Sequence, residues 1–173
     1  SGEPFKSVTP ARLLQLEAIL STENPQVTPV LRSLSLDFSD ALVQRAQGRI
    51  LPRQAIPNKS VRFSYGLWPS GDGQDSGFDR LRIEVPGPIA VEAVTVEVGG
   101  QGVTPVEVRV EADSLLFITL PEPVRNDSVR IRFDVGVLRN ATVFSLYLGD
   151  TRRNDIWQFV DPIERHADVV FLP

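Results

Sequence analysis

The sequence predicts an all-β chain, an antiparallel β-sandwich with an extra N-terminal pair of strands. Three observations point there. Apolar residues recur at every second position in run after run, as in Val61-Phe63-Tyr65, Val94-Val96-Val98 and Val129-Ile131-Phe133, which is the period of a half-buried strand. Turn-forming Gly, Pro, Asn and Asp punctuate these runs every ~8–12 residues, the rhythm of a sandwich. After residue 41 only Pro162 to His166 offers a helical reading, and it is a short one.

Composition narrows the classes of function. The 173 residues are 42% hydrophobic and 23% charged, an ordinary globular balance with enough length to bury a core. The formal net charge of -4 provides no basic field for nucleic acid. No run approaches the ~18 apolar residues that cross a bilayer, so membrane insertion is not expected either. Cysteine is absent, which removes disulfides, thiolate metal sites and cysteine nucleophiles together. Methionine is absent too, even at position 1, so the chain is expected to be a piece of something longer. A disulfide-free β-protein rich in Pro and Gly suits a secreted or cell-surface location in a bacterium, though a cytosolic protein can equally lack Cys.

The N-terminal region carries two competing signals. Thr9 and Pro10, followed by Ala, Arg, Leu and Gln, read as a helix start. Leu14, Leu16, Ala18 and Leu20 instead alternate with Gln15, Glu17 and Ile19 as in a strand. Propensity favours the helix and pattern favours the strand; the fold class above follows the pattern. After a turn-rich connector with Pro25, Val30, Leu34, Leu36 and Phe38 share one face, with Ser33, Ser35 and Asp37 on the other. Burying such a face stabilises by ~1.5–3 kcal/mol per large side chain. Leu14, Leu16, Leu20, Val30, Leu34, Leu36 and Phe38 are therefore expected to pack against the rest of the chain, a preceding domain or a neighbouring copy. Residues 1–40 are assigned to this strand pair and 41–173 to the sandwich.

The run from Leu13 to Phe38 resembles the closing strands of discoidin-like jelly-roll modules in large bacterial surface proteins. Leu14-Gln15-Leu16 and Thr28-Pro29-Val30-Leu31 carry the resemblance. It implies a segment left from a preceding module, whose sugar-binding loops lie outside this run, so no binding residue is carried over.

Ser39 to Gln47 is polar and reads as a linker or the start of a strand. From Gly48 onward, Leu51-Pro52, the Pro57-Asn58 turn and the strand Val61-Phe63-Tyr65 resemble the opening of bacterial immunoglobulin-like domains. The later strands agree with such a sandwich. They centre on Leu81-Ile83-Val85, Val94-Val96-Val98, Val106-Val108-Val110, Leu115-Phe117-Thr119, Val129-Ile131-Phe133 and Val143-Leu146-Leu148. Turns fall at Pro86-Gly87-Pro88, Gly99-Gly100, Ala112-Asp113, Pro121-Glu122-Pro123 and Asn126-Asp127. The segment from Trp157 to Pro173 supplies one or two last strands.

Candidate sites are few. Asp72, Asp75 and Asp79 lie in a Gly-rich loop, and calcium takes six to eight oxygens from such carboxylates and carbonyls. Their spacing departs from the calcium-loop motif, and Asp and Gly equally make a plain solvated turn. Trp68, Trp157 and Tyr65 offer aromatic faces for a polysaccharide, with core packing as the bland alternative. His166, the single histidine, has no G-x-S-x-G nucleophile motif to serve and reads as a surface turn residue. Arg152-Arg153 with Asp150 and Asp155 reads as exposed ion pairs of little energetic weight.

No catalytic constellation emerges, so the chain is not expected to be an enzyme and needs no cofactor unless the loop takes calcium. The expected function is a structural module of an extracellular assembly that joins neighbouring domains or copies of itself through strand edges. A carbohydrate-binding module is the alternative.

Overall fold

The computed structural model describes residues 40–173, apart from the side chains of Asn154 and Asp155, and in the N-terminal segment residues 17, 19–23, 26, 28 and 30–34. Two antiparallel sheets face one another. The first contains β1 (Arg45–Leu51), β2 (Ser60–Ser70), β4 (Thr95–Val98), β5 (Gln101–Val103), β8 (Val129–Gly136) and β12 (Asp161–Pro162). Its order is β12-β1-β2-β8-β4-β5, with only the β12–β1 contact parallel. The second contains β3 (Phe78–Glu84), β6 (Glu107–Glu111), β7 (Leu115–Val124), β10 (Leu146–Asp150) and β11 (Arg153–Phe159), in the order β11-β10-β3-β7-β6. A short pair, β9 (Ala141–Val143) with β13 (Val169–Phe171), stands beside them. The sandwich expected from the alternation is therefore present.

The core follows from that alternation. Phe63, Tyr65 and Leu67 of β2 point inward with Ile131 and Phe133 of β8, opposite Leu81, Ile83, Leu116, Ile118, Leu146 and Leu148 of the second sheet. Phe63 and Phe144 have ring centroids 5.3 Å apart, and Phe133 sits 6.1 Å from Phe144. Each such side chain stabilises by ~1.5–3 kcal/mol on burial. Tight turns join the strands where the sequence marks them. Gly99 and Gly100 (φ 58° and 81°) and Ala112 and Asp113 (φ 50° and 53°) lie in the left-handed region, as hairpin turns that match strand twist demand.

Some details differ from the sequence expectation. In β7 the inward residues are Leu116, Ile118 and Leu120, while Leu115, Phe117 and Thr119 face outward. Both sets contain apolar residues, so alternation alone did not select the face. β1 begins inside the polar stretch, because only its alternate residues Ala46, Gly48 and Ile50 are buried. Residues 163–166 form bends and turns and no helix.

The N-terminal strand pair is not carried by the described residues. Leu20, Val30 and Leu34 lie in no strand and are 53%, 72% and 63% exposed. Leu14, Leu16, Leu36 and Phe38 lie outside the described residues. The discoidin-like resemblance accordingly finds no support. The buried core begins at Leu42 and Val43.

Candidate interaction surfaces

The outer face of the second sheet is built from alternate residues of all five strands. In register across it stand Phe159, Tyr147, Arg82, Phe117 and Arg109, one from each strand. Tyr147 and Phe159 meet edge to face at 5.4 Å. The Arg82 guanidinium lies 4.2 Å from the Tyr147 ring centroid and 4.7 Å from that of Trp157. Arg80 lies 5.0 Å from Trp157, and Arg109 lies 4.4 Å from Phe117. Such cation–π contacts each contribute ~0.5–1 kcal/mol at exposed sites. The row therefore covers the sheet and fixes its side chains. Burial, with the neighbouring Glu84 carboxylate next in weight, raises the Tyr147 hydroxyl pKa above the usual tyrosine value.

This geometry revises the aromatic platform. Tyr65 is fully buried in the core, because it shares the inward parity of Phe63 and Leu67. Trp68 stands on the outer face of the first sheet and Trp157 on the outer face of the second, so no flat ligand spans them. Each tryptophan ring lies over a glycine. A Cβ on Gly66 would stand 2.7 Å from Trp68 Cη2, and one on Gly149 would stand 2.9 Å from Trp157 Cζ3. Aromatic cover of a sheet glycine accounts for both positions.

The acidic loop is likewise self-contained. Asp72 Oδ1 accepts from Gln74 N at 2.8 Å and Oδ2 from Gln44 Nε2 at 2.7 Å. Asp75 Oδ2 accepts from Asp72 N at 2.8 Å. Asp79 turns away to the β10–β11 turn, where it accepts from Thr151 N at 2.8 Å and Thr151 Oγ1 at 2.5 Å. The three carboxylates thus serve turns and do not converge. Among the described residues no group of three or more His, Cys, Asp or Glu could hold a metal ion.

Asp150 differs from the expected solvated turn, being only 1% exposed. Its carboxylate takes Arg152 Nε and Nη2, both at 2.9 Å, and the Arg152 backbone N–H at 2.9 Å. That fork holds its pKa below the usual carboxylate value. On the first sheet, Glu97 bridges Arg132 at 2.6 Å and Arg130 at 3.2 Å. Its pKa is also lowered, chiefly by the hydrogen bond from Arg132. His166 lies exposed in a turn with φ 61°, as expected.

Sequence reasoning missed Gln158. Its side-chain amide, 2% exposed, docks the incoming chain. Oε1 accepts from Leu42 N at 2.8 Å, and Nε2 donates to Val43 O at 2.8 Å. Arg153 Nη2 donates to Asp40 O, and Gly77 N to Leu42 O. Asp40 to Val43 therefore lie beside β11. A lone polar residue between Trp157 and Phe159 is the only signal the sequence offered.

No protein-family model matches the sequence, and no curated protein matches it. The chain is similar to the major pilin SpaA of Corynebacterium diphtheriae, at 10% identity and a TM-score of 0.44, over 61% of this chain and 31% of that one. It is also similar to the major pilin subunit BcpA of Bacillus cereus, at 11% identity and a TM-score of 0.46, over 73% of this chain and 39% of that one. The chain thus spans well under half the length of either. At these values the likenesses carry no argument about what this chain binds or does.

Proposed function

We propose that the chain is a non-catalytic structural module that joins copies of itself, or neighbouring domains, through β-strand edges. One observation carries this reading. The sandwich closes its core within residues 42–172, while Ile19, Leu20, Val30, Leu31 and Leu34 stay 51–83% exposed. Exposed large apolar residues gathered in one segment mark a surface that another chain covers. The bacterial surface location rests on the immunoglobulin-like resemblance of residues 48–67. The arrangement of acids and the single histidine supports no nucleophile, metal centre or paired acid and base among the described residues.

Light scattering after size-exclusion chromatography tests this. The full chain is expected to form multimers as concentration rises. A Leu31→Asp/Leu34→Asp variant and a truncation starting at Ala41 are both expected to stay folded monomers. A full chain that remains monomeric at every concentration would overturn the proposal. So would a truncation that unfolds, because the segment would then belong to the core.

A further inference from the structure

The first strand of the sandwich and its C-terminal segment run side by side in the same direction. Gln47 pairs with Asp161 and Gly48 with Pro162 in parallel register. Further hydrogen bonds continue in step. Ile163 N donates to Gly48 O at 2.9 Å, Ile50 N to Ala167 O at 2.9 Å, Phe171 N to Arg53 O at 2.9 Å and Ala55 N to Phe171 O at 3.1 Å. Arg53 Nη2 also donates to His166 O at 3.0 Å, and its Nη1 lies 3.5 Å from the Glu164 carboxylate. Residue numbers rise together on both sides, so residues 47–55 and 161–171 form one parallel seam. It is sheltered from solvent. Gly48, Ile50, Ala55, Ala167 and Val170 are buried. A Cβ on Gly48 would stand 2.6 Å from Tyr65 Cε1 and 2.9 Å from Val160 Cγ1, so core side chains close directly over the backbone there. Hydrogen bonds in such a place are not readily exchanged one by one for bonds to water.

Direction gives this seam a mechanical meaning. In a parallel pair the N-terminal end of one strand and the C-terminal end of the other lie at opposite ends. Pulling those two ends apart slides one strand along the other and stretches every bond together. Pulling both strands from the same end opens the bonds singly. Here the chain enters β1 at Arg45 and leaves the seam at Phe171. β1 is also paired along its whole length with β2, and β13 with β9. A pull between the two sides must free either β1 or residues 161–171, and each route breaks the seam. We propose that the module bears tension along its own chain, with the seam between residues 47–55 and 161–171 as the element that resists it. This goes beyond the assembly reading above and does not depend on it, because the seam lies within one copy.

Single-molecule stretching tests this directly, because the chain has no cysteine of its own and thiol-linked handles go only where they are placed. Full chain carrying Asp40→Cys and Pro173→Cys is stretched between its handles, with Lys59→Cys and Pro173→Cys as the comparison. The first pair loads the seam lengthwise. The second opens it from the Ala55 and Phe171 end. The expected rupture force is severalfold higher for the first pair at the same loading rate. Ile163→Pro and Phe171→Pro each remove one seam donor at a side chain that is partly exposed. Each should lower the force of the first pair, and Ile163→Pro should leave that of the second nearly unchanged. Equal forces for the two pairs overturn the proposal. So does a first-pair force that neither proline changes in chains that still unfold cooperatively in urea. If the proline variants do not fold, the two pulling directions on the native background decide alone.

Discussion

Gln158 holds the backbone of Val43 in both directions. Its Oε1 accepts from Val43 N at 3.2 Å while its Nε2 donates to Val43 O at 2.8 Å. The same Oε1 accepts from Leu42 N. One side chain thus replaces the strand that would otherwise satisfy this stretch. Gln158→Leu leaves two N–H groups and a carbonyl buried without partners. At ~1–3 kcal/mol per orphaned group, partly relieved by relaxation, it should destabilise by ~2–4 kcal/mol. Urea unfolding measures this as a fall in midpoint at unchanged slope. A loss under ~1 kcal/mol would mean that water or relaxation readily replaces the amide.

The two glycines under tryptophans should respond unequally to a methyl group. Trp157 is wedged by Arg80 and Arg82 and meets Phe117 edge to face at 6.1 Å. It cannot move from a Cβ on Gly149 without disturbing that row. Trp68, 40% exposed, has Arg49 over its ring at 5.7 Å and can swing outward. Gly149→Ala should therefore destabilise by ~1–3 kcal/mol, the range for overpacking, and Gly66→Ala by less. In a Trp157→Ala background most of the Gly149→Ala effect should vanish. Thermal unfolding of the four variants of that cycle measures the coupling.

Much of this architecture was legible in the sequence, for a definite reason. Strands such as β2 and β8 bury one face only, so Phe63 and Phe133 announce both the strand and its inward side. The outer row was less legible, because Arg82, Phe117 and Tyr147 are polar or mixed positions whose partners come from distant strands. Trp157 and Trp68 looked like one platform because nothing local to either residue reports which sheet it lies on. Tyr65 was offered for its aromatic face, yet its ring obeys the inward parity of Phe63 and Leu67. Gln158 could not be read at all, since its partners lie 115 and 116 positions away.

Removing the Tyr65 hydroxyl should help the fold. The group is buried and has no hydrogen-bond partner, so Tyr65→Phe should stabilise by ~0.5–2 kcal/mol. Burial first, and Asp168 second, raise its pKa far above the ordinary value near 10. The folded state therefore keeps the proton longer than the unfolded chain. Stability from this group is complete below about pH 10 and falls as pH rises beyond it. Unfolding midpoints collected from pH 8 to 11 should decline more steeply for the native chain than for Tyr65→Phe. Parallel curves would remove Tyr65 as the cause.

Acid should act through Asp150 and Glu97, and salt should separate them. Both carboxyls titrate below their ordinary values in the folded chain. A depressed pKa adds stability that is present above the unfolded value, about 4, and disappears as pH falls through the lower folded value. The native chain should hold its urea midpoint down to about pH 5 and lose it below about pH 4. The two sites differ in exposure. The arginines of both bridges are open to solvent, but the Glu97 side chain is 24% exposed whereas the Asp150 side chain is 1% exposed. Ions at about 1 M screen charges beyond about 3 Å in solvent but reach a buried carboxylate poorly. Raising salt should therefore shrink the share of the acid transition that Glu97→Gln removes and leave the share removed by Asp150→Asn. An acid transition that collapses entirely at high salt would mean that the Asp150 fork is solvated after all.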